Sequence, residues 1–205
     1  DVLAMGIDMS QWQGKVDWNK IKDSGVSFVM LRLGYGKGRY GSKSCTMDSR
    51  FKSYVKGAQE VGIPIGIYFY SYAKNPKQAL AEAEYTIEQL DGIDVSFPVA
   101  YDIEDASIVS ATNTATRTEM ARTYMETIKA AGYTPMFYCN QNWYDNYLDA
   151  DALADYEFWY ARYTYVEPNR SLYNCGMWQA TSTQKLSGIT ENTVCLLYTS
   201  PSPRD

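Results

Sequence analysis

Asp102-Ile103-Glu104-Asp105 places three acids at the end of the apolar run Phe97-Pro98-Val99-Ala100-Tyr101. The run reads as a buried strand. Strand side chains alternate faces, so Phe97, Val99, Tyr101 and Ile103 share one side and Pro98, Ala100, Asp102 and Glu104 the other. Asp102 and Glu104 would then be neighbours, with Cα atoms roughly 6.5–7 Å apart. Two carboxylates crowded at the end of a buried strand repel each other. That repulsion should raise one pKa, giving a proton donor beside an ionised partner. Glycoside hydrolysis uses this division of labour. The alternative is a solvated strand end with unpaired surface acids.

Composition narrows the chemistry. The 205 residues contain no histidine. Ser-His-Asp and Cys-His catalysis and His-ligated zinc are thereby excluded, and acid–base work falls to Asp, Glu, Tyr or Lys. A net charge of −5 without a basic cluster argues against nucleic acid as a partner. No apolar run reaches the ~18 residues of a membrane helix, so no membrane partner is expected. The 19 Tyr and 5 Trp suit both a core and a cleft that stacks on sugar rings. Cys45, Cys139, Cys175 and Cys195 show no CxxC spacing, which argues against a zinc ribbon and leaves one or two disulfides open. The start at Asp1, without Met or an apolar leader, reads as a mature or trimmed domain.

The elements that must position the acids alternate between strand and helix. Gly6-Ile7-Asp8-Met9-Ser10 reads as a first strand with Asp8 on the Gly6 and Ser10 side. Residues 16–21 read as a helix capped by Asp17 and stopped by Gly25. In a second strand over 27–34, Val29, Leu31 and Leu33 would face helices and Phe28, Met30 and Arg32 the inside. Residues 35–44 read as a Gly-, Lys- and Ser-rich loop without P-loop spacing. A helix over 48–61 carries the stripe Phe51, Tyr54, Val55, Ala58 and Val61. A strand over 63–71 puts Ile63, Ile65, Ile67 and Phe69 opposite Gly66, Tyr68 and Tyr70. Helices follow over 75–90, with Pro76 in its first turn, and over 116–131. Strands are expected at 134–139, 157–161 and 176–179, with short helical pieces within 141–155. Seven strands alternating with helices in one domain predict an α/β fold: an irregular, TIM-like (β/α) barrel with fewer helices in its C-terminal half. Asp8, Asp102 and Glu104 would meet at the mouth, where barrel active sites sit.

Gly6-Ile7-Asp8-Met9-Ser10-Gln11-Trp12-Gln13-Gly14, Phe28-Val29-Met30-Leu31-Arg32, Gly66-Ile67-Tyr68-Phe69-Tyr70 and Tyr101-Asp102-Ile103-Glu104 resemble glycoside hydrolase family 25, the Chalaropsis- and Cellosyl-type lysozymes. Trp159-Tyr160-Ala161-Arg162-Tyr163 and Met177-Trp178-Gln179 are similar to later motifs of that family. The resemblance implies an N-acetylmuramidase that cuts β-1,4 bonds between N-acetylmuramic acid and N-acetylglucosamine in peptidoglycan. It implies no cofactor and no metal. Glu104 would be the general acid and Asp102 would stabilise the developing cation or an oxazolinium, although direct attack by Asp102 stays open. Asp8 would organise the cluster. Tyr35, Tyr70, Tyr138, Trp159 and Gln179 are candidates for the sugar cleft. The resemblance also implies a monomer that is secreted or extracellular, or a phage endolysin acting at the cell wall.

Two rival readings remain at this point: a barrel glycosidase acting on chitin or xylan, and a glycan-binding module without turnover. The family pattern also implies an Asp at or near position 195. Here residues 195–205 read Cys-Leu-Leu-Tyr-Thr-Ser-Pro-Ser-Pro-Arg-Asp, which resembles a translated sequencing adapter. The expected organisation is therefore a catalytic domain over 1–194 and a non-native tail over 195–205, with Pro201 and Pro203 stopping further pairing.

Overall fold

The computed structural model describes residues 4–164, 166–169 and 175–199. Nine strands form one sheet: β1 (Ala4–Met9), β2 (Phe28–Tyr35), β3 (Thr46–Met47), β4 (Ile65–Tyr70), β5 (Val99–Asp102), β6 (Pro135–Asn140), β7 (Glu157–Ala161), β8 (Cys175–Gln184) and β9 (Val194–Thr199). Eight of them close a barrel in the order β1-β2-β4-β5-β6-β7-β8-β9, with β9 pairing back onto β1. The strands from β1 to β8 that line the barrel run parallel, whereas β9 is antiparallel to both neighbours. The short β3 lies antiparallel on β2.

Alternation decides what each strand buries. Phe28, Met30, Tyr68, Ala100, Met136, Trp159, Met177 and Leu197 fill the barrel interior. Val29, Leu31, Leu33, Ile65, Ile67, Phe69, Val99 and Tyr101 point outward into a second core beneath the helices. At Gly66 a Cβ would lie 2.4 Å from the Met30 sulfur and 2.9 Å from the Pro98 carbonyl oxygen, so only glycine admits Met30 to the interior there. Phe97 departs from the sequence reading. β5 begins only at Val99, after Pro98, and the Phe97 ring stacks on Phe28 at 4.4 Å against the interior cluster. Proline has no amide hydrogen to give to a ladder, which shortens the strand and frees Phe97 from its alternation.

The covering helices are α1 (Trp18–Asp23), α2 (Phe51–Glu60), α3 (Pro76–Gln89), α4 (Ala106–Ala111), α5 (Thr114–Ala130) and α6 (Gln141–Asn146). Asp17, Asn75 and Asn113 cap α1, α3 and α5 by accepting a backbone N–H of the first turn. α2 buries Phe51, Tyr54, Val55 and Ala58, four residues of the expected stripe. α3 and α5 are tied together where Thr86 Oγ1 and the Tyr124 hydroxyl lie 2.9 Å apart. The α4 helix was not anticipated from the sequence. Among the described residues no α-helix follows Asn146, so the second half of the barrel is thinly covered, as expected. None of the described helices is long and apolar enough to cross a membrane. The tail enters the fold through β9, and Leu197 is fully buried inside the barrel. Pro201 and Pro203 lie outside the described residues.

Candidate active site

Parallel register brings the candidate residues to one end of the barrel. Asp102, the last residue of β5, pairs with Tyr70 of β4 on one side and Tyr138 of β6 on the other. Tyr138 in turn pairs with Trp159 of β7. Residues in one register row point the same way, so these four side chains form a ring around the mouth. Asp8 lies one residue from the C-terminal end of β1. Tyr35 ends β2, and Gln179 pairs with Ala161 at the end of β7. Glu104 lies two residues past β5, and Asp105 caps α4 by accepting the Ser107 N–H at 2.9 Å. Asp8, Tyr35, Tyr70, Asp102 and Glu104 thus lie at or near the C-terminal ends of their strands, while Tyr138, Trp159 and Gln179 lie within β6, β7 and β8.

The three acids share one electrostatic problem. Asp102 is 4% exposed, and its Oδ1 has no hydrogen-bond partner in the protein. Burial, then the Glu104 and Asp8 charges, push the Asp102 carboxyl well above its ordinary range, with Arg32 and Arg39 opposing. Glu104 is pushed up to about 7 by burial, then by Asp8 and Asp105, against Arg39. Asp8 is raised by burial too, although it accepts the Cys195 N–H at 3.2 Å and feels Arg32. The sequence reading expected one raised acid beside one ionised partner. Both are raised, by burial first and then by neighbouring carboxylates, Asp8 among them. Asp105 differs. Burial raises it, but the Ser107 hydroxyl and amide outweigh that and hold it below the usual range. It is the ionised cap, not a proton donor.

Two arginines offset the acids. Arg32 of β2 points inward and is buried, with Nε and Nη2 2.8 and 2.7 Å from Asp48 Oδ2. Asp48 also accepts the Gln11 and Arg50 amides, so this ion pair is anchored to the backbone after β1 and before α2. Arg39 sits on the loop after β2. Its guanidinium lies 5.3 Å from the Tyr35 ring centroid, 4.9 Å from Tyr70 and 5.8 Å from Tyr72.

The aromatic candidates fall into two groups. Tyr35 and Tyr70 are half-buried at the rim. Tyr138 and Trp159 are buried and meet edge to face at 4.9 Å. Gln179, also buried, accepts the Trp159 indole N–H at 3.1 Å and donates to the Tyr163 hydroxyl at 2.9 Å. Gln179 thus fixes Trp159 in the floor and Tyr163 above it. Tyr163 and Trp12, both exposed, were not singled out for the cleft from the sequence. Among the described residues no disulfide joins the cysteines. Among the described residues no group of three or more Cys, Asp and Glu side chains is arranged to hold a metal ion.

A profile of the glycosyl hydrolases family 25 matches residues 7–189. The chain belongs to family 25 of the glycosyl hydrolases. It is 28% identical over 164 residues to the autolytic lysozyme of Clostridium acetobutylicum, a match covering 80% of this chain and 46% of that protein. The chain thus spans about half the length of this curated relative. The modular autolysin LytC of Streptococcus pneumoniae superimposes with a TM-score of 0.83 at 29% identity, covering 96% of this chain and 46% of that one. A family 25 glycosyl hydrolase of Bacillus anthracis, at 20% identity and a TM-score of 0.80, shares the fold over 97% of this chain and 89% of its own.

One acid of this family 25 chain was missed from the sequence. Glu82, 2% exposed, stands in the buried stripe Ala79, Glu82, Ala83 and Thr86 of α3. It accepts the Ser71 and Tyr101 hydroxyls at 2.8 Å each and the Tyr72 amide at 2.9 Å. Ser71 N–H donates to the Asp102 carbonyl at 2.9 Å, so Glu82 braces the ends of β4 and β5 from behind. A lone acid in a helical stripe of small, uncharged residues was the signal that could have found it.

Burial pushes the Glu82 carboxyl from 4.5 up to about 7, against its hydrogen bonds from Tyr72, Ser71 and Tyr101. The unfolded chain releases this proton first. The stability tied to holding it is full below pH 4.5 and lost as the pH rises through 7. Glu82→Gln should remove at most roughly 3 kcal/mol of the loss of stability between about pH 5 and 8 and flatten the fall of Tm accordingly. Thermal unfolding of both proteins across that range measures it, and parallel Tm curves would contradict the assignment.

Proposed function

We propose that this chain is the catalytic part of a lysozyme, an N-acetylmuramidase acting on bacterial peptidoglycan at the cell wall. The observation that carries the reading is the clustering of Asp8, Asp102 and Glu104, desolvated together at the mouth of a family 25 barrel. A binding module gains nothing from three raised carboxyls, which cost folding energy. A hydrolase needs them.

Glu104, held near 7 and only half-buried, carries a proton at mildly acidic pH and can reach a ligand. It gives that proton to the glycosidic oxygen as the C1–O bond breaks. In the same step the carbonyl oxygen of the sugar's N-acetyl group bonds to C1, so the positive charge passes to an oxazolinium. Asp102 faces that charge from the floor. In its ionised form Asp102 supplies the negative charge that stabilises this cation in the transition state. Water then adds to C1, losing its proton to Glu104, and the oxazolinium opens to the N-acetyl sugar. Asp8 keeps proton affinity at Glu104 high. Tyr35 and Tyr70 wall the cleft, while Tyr138, Trp159 and Gln179 set its floor.

Within this reading the tail from Cys195 is not native. Cys195 holds the place next to Asp8 where the family resemblance puts an Asp, and burial followed by the Asp8 charge raises its thiol. An apolar thiol there removes a charge that would serve the site.

Two experiments test the proposal. Glu104→Gln should stay folded and lose at least ~10² in wall-lytic rate, and the wild-type rate should fall as the pH rises through 7 with loss of the Glu104 proton. Folded, active Glu104→Gln protein would sink the assignment. Cys195→Asp should raise turnover on peptidoglycan by about 10-fold or more. An unchanged or lower rate would count against a missing carboxylate at that place.

A further inference from the structure

The muramidase reading leaves Arg39 without a task. We propose that Arg39 is a specificity residue that binds a carboxylate on the muramyl substituent, the group by which N-acetylmuramic acid differs from N-acetylglucosamine. The proposal rests on the reading above for the identity of the glycan.

Position is the first argument. Arg39 lies beyond the end of β2, at the rim, with its guanidinium against the Tyr35, Tyr70 and Tyr72 rings at 4.9–5.8 Å. Tyr35 ends β2 and Tyr70 ends β4 beside Asp102, so the cation stands on the wall next to the reacting acids. Three rings hold a planar group in one orientation, which lowers the ordering cost of using it. A guanidinium matches a carboxylate with two parallel hydrogen bonds, which a lysine cannot reproduce.

Charge is the second argument. Asp8, Asp102, Glu104 and Asp105 make this mouth acidic, and the chain carries a net −5. An anionic sugar substituent would be repelled unless a cation met it. Arg32 cannot serve, being buried and committed to Asp48 at 2.7 Å. Lys74, whose Nζ lies 5.9 Å from the Tyr72 ring centroid, is engaged with Ser107 and lies near Asp105. Arg39 is the cation placed at the rim wall itself.

Occupation of Arg39 also bears on catalysis. Its charge is what opposes the rise of the Glu104 carboxyl. A substrate carboxylate that neutralises Arg39 removes that opposition and firms the proton on Glu104. The anionic sugar thereby helps to arm the acid that cleaves it, whereas a neutral chitin chain does not.

The test is calorimetric titration of the full chain with four ligands: the N-acetylglucosamine–N-acetylmuramic acid disaccharide, its lactyl methyl ester, its dipeptide-bearing form, and chitobiose. The free acid or the dipeptide form should bind at least ~10-fold more tightly than the ester and chitobiose. A preference for the free acid assigns the lactyl carboxylate, and a preference confined to the dipeptide form assigns a stem carboxylate. Arg39→Gln should bring the ratio close to one, and Arg39→Lys should keep part of it. Equal wild-type affinities for acid, dipeptide form, ester and chitobiose would overturn the proposal, with no variant needed. So would no binding of any of the four, or an equal loss for all of them in Arg39→Gln. Hydrolysis without the preference would reject Arg39 alone, whereas the preference without hydrolysis would reject the muramidase reading alone.

Discussion

The structure turns on forcing carboxylates out of water at one end of a closed barrel. Closure fixes the register, and the register fixes which side chains crowd the mouth. Asp102 cannot leave the ring it shares with Tyr70 and Tyr138 without breaking β5 pairing on both sides. Asp8 enters from β1, whose place is set by β2 and β9. Desolvation then raises proton affinity at Asp8, Asp102 and Glu104 together. The fold bears that cost through a large apolar interior and a buried Arg32–Asp48 pair just beside the acids.

The support behind the acids is polar as well as apolar. On the outer side of β4 and β5, Glu82, Ser71 and Tyr101 form a closed triangle of short hydrogen bonds. Tyr101 stacks on Tyr124 at 4.2 Å, which extends the brace into α5. A residue one place from Tyr101 along the chain is Asp102 itself. The Asp102 side of β5 is thus held by what its opposite side touches, and the helices α3 and α5 brace the mouth from outside the barrel.

Much of this was legible in the sequence, for a physical reason. A strand buried on both faces and ended by acids has few places to go, and alternation put Phe28, Met30 and Arg32 on the inside and grouped Ala100 with Asp102 correctly. Asp17, Asn75 and Pro76 marked helix starts because caps are local chemistry. What was not legible depends on contacts distant in sequence. Phe97 left its expected face because Pro98 broke the ladder before it. Arg39 looked like part of a Gly- and Ser-rich loop until three tyrosines from two strand ends met it. The ionisation of the acids depends on Asp8, nearly a hundred residues from Glu104, and no local pattern reports that distance.

The central claim is that burial and then mutual repulsion, not any single hydrogen bond, raise the proton affinity of the mouth carboxyls, with Glu104 pushed up to about 7. The direct measurement is a carbon-13 NMR titration of the Glu104 side-chain carboxyl in the full chain and in Asp8→Asn. The account predicts a midpoint near 7 in the unaltered chain and a lower one once the Asp8 charge is gone. A midpoint at the ordinary 4.5 in the unaltered chain, or one that ignores Asp8→Asn, would contradict it.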